Sequence, residues 1–103
     1  MEPAKLYWIE IGKDEDGFAI ENRKELQVYA KELSVKRAEA YEAMRAGVKV
    51  EIILEIRQEE WEQTKHMEDG KRRYASKISF DGCEYEIIRT YKKGKSMIEL
   101  VCG

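Results

Sequence analysis

Three carboxylates stand beside a glycine at Asp14-Glu15-Asp16-Gly17, the one cluster whose composition could hold a hard cation. A calcium loop needs oxygen ligands at alternate positions, glycine at the sixth and a bidentate Glu at the twelfth. Here the acids are adjacent, so the segment reads as a solvated turn. Glu84, Glu86 and Glu99 could be imagined as an acid–base pair, which requires surroundings that keep one carboxyl protonated while the other ionises. These three alternate with Lys77 on a polar strand face, where water would hold all of them ionised. His66 lies in a polar run with no Ser or Cys nearby to activate. Cys83 and Cys102 are too few for a disulfide framework, no C-x-x-C is present, and one histidine cannot complete a zinc site with such distant cysteines. The reading is a chain with no catalytic residue, no metal and no cofactor.

What remains is chemistry of contact. Lys71-Arg72-Arg73-Tyr74 and Lys92-Lys93-Gly94-Lys95 are the only basic concentrations, and basic loops with aromatics can follow a phosphate backbone. Over the whole chain, 19 basic and 21 acidic residues nearly cancel to −2, which argues against general affinity for nucleic acid. Trp61 stands among Glu59, Glu60, Glu62 and Gln63 without periodic apolar companions. It either packs back on the body of the protein or anchors a partner. Phe18 and Ile20, isolated in a charged stretch, pose the same question.

The elements that must position these residues are mostly strands. Asp81-Gly82 is a strong hairpin signal, because a two-residue type I′ loop needs positive φ at both central positions. That loop sets Phe80 opposite Cys83, Ile78 opposite Tyr85 and Ser76 opposite Ile87. A second two-residue loop at Lys93-Gly94 would set Ile87 against Leu100 and Tyr85 against Cys102. Both registers put Ile78, Phe80, Tyr85, Ile87, Ile98, Leu100 and Cys102 on one face. Lys77, Ser79, Glu84, Glu86, Thr90 and Glu99 take the other, with Lys77 facing Glu86. Ile88, Met97 and Val101 also fall on that side, so part of it is expected to be covered. The two cysteines share a face but are offset by about 7–8 Å, wide for a bridge, and are expected to be reduced.

Upstream, residues 5–11 read as a first strand and residues 12–25 as a long loop, uncommon in so compact a domain and therefore functional or mobile. Residues 26–35 form a second strand, bulged near Ala30. Ala38, Tyr41 and Met44 repeat at helical spacing and predict a helix over 36–46, stopped by Gly47. Residues 48–57 alternate cleanly as a strand, and residues 58–73 read as a second long loop with a short helix around 59–65. At 103 residues, 43% apolar and 39% charged, the chain holds one core. The expected fold is a single, mainly β domain: a curved sheet or small barrel of about six strands with one inserted helix and two long loops. No signal peptide or membrane-spanning run is visible, so folding in the cytosol is expected.

In this order of elements the chain resembles the head–tail joining (head closure) proteins of tailed bacteriophages and prophages. The resemblance covers nearly the whole chain. It rests on a strand running into a Gly-centred loop from Ile9 to Gly17, on Val28-Tyr29-Ala30, and on Glu39 and Ala43 in a helical segment. Ile56-Arg57, Phe80-Asp81-Gly82-Cys83-Glu84-Tyr85-Glu86-Ile87 and Ile98-Glu99-Leu100-Val101-Cys102 follow. The chain departs from that pattern at Tyr29, where Trp is frequent, and at Glu59-Glu60. The resemblance implies a non-enzymatic virion component at the head–tail interface, assembled from the host cytoplasm. Its partners would be further copies in a ring in the assembled virion, with a monomer allowed for the isolated chain, a portal or adaptor protein, a tail completion or tail-tube protein, and duplex DNA passing without sequence recognition. It also implies that the loops carry the contacts, with Asp14, Asp16, Phe18, Ile20, Trp61, Lys71, Arg72 and Arg73 as candidate partner-binding residues. The alternative from another class is an OB-like barrel binding single-stranded nucleic acid through Lys71, Arg72, Arg73, Tyr74, Tyr91, Lys92 and Lys93.

Overall fold

A computed structural model of the protein describes residues 1–34, 47 and 49–103. Alternation of Ala4, Leu6 and Trp8 with Lys5, Tyr7 and Ile9 makes strand β1, Glu2–Lys13, and the first set is buried. Strand β2, Ala19–Leu33, returns antiparallel to it in one unbroken register, from Glu2 opposite Ala30 to Lys13 opposite Ala19. Most of the expected first loop is therefore paired β-ribbon, and only residues 14–18 turn. The ribbon is wet on both sides beyond Trp8, so burial imprints no period on its sequence; ladder hydrogen bonds and the turn hold it instead.

That turn explains the acidic cluster. The Asp14 carboxylate accepts hydrogen bonds from the backbone N–H groups of Asp16 (3.0 Å) and Phe18 (2.8 Å), and the Gly17 N–H donates to the Asp14 carbonyl at 3.1 Å. Asp at the first position of a type I turn, followed by Gly in the left-handed region at φ 82°, is a recurrent hairpin closure.

The rest of the chain adds β3 (Ile52–Arg57), helix α1 (Gln58–Glu62), β4 (His66–Glu68), β5 (Lys71–Arg73), β6 (Lys77–Phe80), β7 (Cys83–Lys93) and β8 (Met97–Cys102). Six strands close into an antiparallel barrel in the order β1-β2-β3-β8-β7-β6, and β4–β5 forms a separate hairpin. The mainly β barrel with a short helix is thus present. The β1–β2 ladder runs without a bulge to Ala30, where β2 changes partner and pairs with β3 from Lys31. The helix expected over 36–46 lies outside the described residues.

The Asp81-Gly82 hairpin has the expected register, with φ of 50° and 78° at its two central residues. The second hairpin differs. Its loop is Gly94-Lys95-Ser96, so Lys93 pairs with Met97, and a bulge between Ile87 and Arg89 leaves Ile87 opposite Cys102 instead of Leu100. The net slip below the bulge is two residues, which preserves faces. Tyr85 and Ile87 consequently still pack on the core, beside buried Ile78, Phe80, Ile98, Leu100 and Cys102. Above the bulge the slip is odd, and Thr90, expected on the wet face, stands opposite Leu100 and is half-buried. On the outer face Val101 pairs with Ile53, and both are buried, so that side is covered in part as expected.

The second expected loop is largely structured as well. Asp69-Gly70, with φ of 52° and 76°, closes β4–β5, and α1 sits just after β3. Thr64, fully buried, joins these pieces: its hydroxyl donates to the Trp61 carbonyl (2.8 Å) and accepts from the Ala75 N–H (3.0 Å). Without it, a buried N–H would stand unsatisfied at a cost of about 1–3 kcal/mol.

Candidate assembly surface

Strand β1 pairs with β6 only over Ala4–Tyr7, so residues 8–13 and 19–25 leave the barrel together as an arm. Six residues of strand at about 3.3 Å each give a projection of about 20 Å. The molecule measures 51 × 30 × 28 Å, with a Cα radius of gyration of 14.9 Å against about 13 Å for a compact chain of this length. The base of the arm is rigidly held. Trp8 is buried, donates its indole N–H to Glu10 at 3.1 Å and stacks on His66 at 6.3 Å. The His66 Nδ1–H donates to the Thr64 carbonyl at 2.9 Å, and the Arg23 guanidinium covers the Tyr7 ring at 5.0 Å.

Apolar side chains nevertheless face water along the arm: Ile9 is 48% exposed, Ile11 57%, Phe18 70% and Ile20 40%. Of the candidate residues, Asp14, Asp16, Phe18 and Ile20 gather exposed at or near the arm tip, with the Asp14 carboxylate committed to the turn. Lys71, Arg72 and Arg73 are exposed together on β5, with Arg73 4.0 Å from Glu68. Of the two readings of Trp61, packing back on the body of the protein holds, and its place among the partner-binding candidates is corrected. It is 5% exposed, belongs to the barrel core and stacks on Tyr74 at 5.4 Å.

Ile9, Ile11 and Met67 are exposed apolar positions that sequence reasoning missed. The signal lay in Trp8-Ile9: two adjacent strand residues cannot both face the core, so one of them had to be wet.

Of the polar groups weighed for catalysis, Glu84, Glu99 and His66 are in structural use. Lys77 bridges to Glu84 at 3.5 Å, although Glu86 is its directly opposite residue. Glu99 is buried on the outer face beside Lys93 (3.6 Å), which also bonds Glu55 at 3.2 Å. Both cysteines are free; burial pushes the Cys102 thiol up to about 12, whereas Cys83 is exposed. Among the described residues no group of three His, Cys, Asp or Glu could hold a metal ion, and no helix is long and apolar enough to cross a membrane.

The hydrogen bond and charge of Glu55, with Glu99 adding to them, raise the Lys93 pKa above its ordinary 10.5. A cation whose folded pKa is raised stabilises fully below the unfolded value, and that contribution fades as pH climbs through the folded one. Lys93→Met should therefore lower the melting temperature at neutral pH, and the gap to the parent should close above about pH 10.5, read by thermal denaturation across pH.

No protein-family model matches the chain, and neither a curated protein nor a solved structure matches it.

Proposed function

We propose that the protein is a structural subunit of a tailed-phage connector, which joins the DNA-filled head to the tail and extends or closes the DNA exit channel. The observation that carries this reading is a closed barrel bearing an ordered arm whose apolar residues face water. An exposed apolar arm on an otherwise satisfied fold is what an assembly protein presents before it meets its neighbours. The sequence resemblance supplies the kind of assembly, and a net charge of −2 suits a channel through which duplex DNA slides without sticking. Single-stranded nucleic-acid binding receives less support. Tyr74 lies against Trp61 and Lys93 is held by two carboxylates, which engages two of the seven residues that reading would use.

A nonsense codon in this reading frame, in the phage or prophage that encodes it, should leave DNA-filled heads and free tails that do not join. Supplying the protein in trans should restore tailed particles. Normal infectious particles made without the protein would refute the proposal.

A further inference from the structure

Charge is distributed unevenly over the two ends of the strand order. Residues 8–25, the arm and its turn, hold six carboxylates against three cations, whereas residues 89–95, the end of β7 and its loop, hold four cations and no carboxylate. The order β1-β2-β3-β8-β7-β6 places the β1–β2 pair and the β8–β7 pair on opposite flanks of the barrel. Because β1 is antiparallel to β6 and β6 to β7, the arm tip and the Gly94 loop lie at the same end. Beside that loop is a groove of about 380 Å³ lined by Arg57, Glu59, Lys95, Ser96 and Met97. Lys93 is already held by Glu55 and Glu99, but Arg57 and Lys95 make no ion pair among the described residues. The groove thus offers a thioether and two available cations, with one acid, Glu59, in its lining.

Each molecule therefore carries an acidic knob tipped by Phe18 on one flank and a cation-lined groove on the other, at the same end of the barrel. Two different, mutually complementary patches on opposite flanks are what a head-to-tail ring requires; a two-fold dimer would need one self-complementary patch. We propose that the arm tip of one copy docks in the Arg57–Lys95–Met97 groove of the next copy, seating Phe18 against Met97 with Glu15 and Asp16 facing Arg57 and Lys95. The inference rests on the ring-forming reading above and names the surface that closes it. Phe18 supplies the apolar part, since a buried aromatic removes about 150–250 Å² from water. The paired charges set the direction and register of docking.

Sedimentation velocity of the full chain at low salt and high concentration, with charge-reversed variants, tests the interface. The parent should self-associate. Glu15→Lys with Asp16→Lys should weaken association by about tenfold or more, as should Arg57→Glu with Lys95→Glu. The chain carrying all four substitutions should recover association, and so should an equimolar mixture of the two reversed proteins, because each interface then again pairs opposite charges. Phe18→Ser should weaken association in either charge background. A parent that stays monomeric, or reversals that weaken association without mutual rescue, would overturn the proposed contact. That failure is distinct from failure of the connector reading, which is judged by whether heads and tails join without the protein.

Discussion

Trp61→Ala will cost the barrel about 3–5 kcal/mol, a large part of the 5–15 kcal/mol that holds a domain of this kind together. The indole is buried in the core cluster and stacks on Tyr74, and the carbonyl of the same residue receives the Thr64 hydroxyl. Truncation leaves a cavity beneath α1 that a five-residue helix without a side-chain N-cap is poorly placed to refill. Urea unfolding followed by far-ultraviolet circular dichroism measures the loss as a lower midpoint at unchanged slope. A variant of parental stability that fails only in assembly would instead make Trp61 a contact residue, against its burial.

Shortening the arm will do the reverse: assembly lost, barrel kept. Replacing residues 11–21 by Asn-Gly retains the Glu10–Asn22 pair and closes it with a two-residue type I′ loop. The removed segment holds exposed Ile11, Phe18 and Ile20 and no residue of the buried core. The expected result is a monomer whose unfolding midpoint stays close to that of the parent and which joins no heads to tails in a complementation assay. Tailed particles at normal yield would remove the arm from the account of function. Together the two variants separate what holds the chain folded from what it offers to neighbours.

Much of the fold was legible locally. Asp16-Gly17, Asp69-Gly70 and Asp81-Gly82 each stand at a hairpin turn, the first as a type I turn closed by glycine and the other two with positive φ at both residues. Only the last of these is flanked on both sides by alternating apolar residues, which is what makes it legible as a hairpin. His66-Met67-Glu68 and Lys71-Arg72-Arg73 flank Asp69-Gly70 with mostly polar side chains, and without apolar alternation the same turn signal does not stand out. The inward face of the last three strands was also readable, and it survived a wrong loop length because the bulge near Ile88 reduced the slip to two residues.

The amino-acid sequence by itself determined a mainly β chain, its Asp81-Gly82 hairpin, the inward set of its C-terminal strands and the near-neutral charge. These follow from backbone preferences at glycine and from two-residue periodicity, which act between neighbours. Only the tertiary structure decided that residues 12–25 are an arm instead of a loop, that Trp61 faces inward, and that an acidic knob and a cation-lined groove stand on opposite flanks. Those outcomes depend on barrel closure and on which strand lies beside which, and interactions between residues far apart in the chain carry no periodic mark in the sequence.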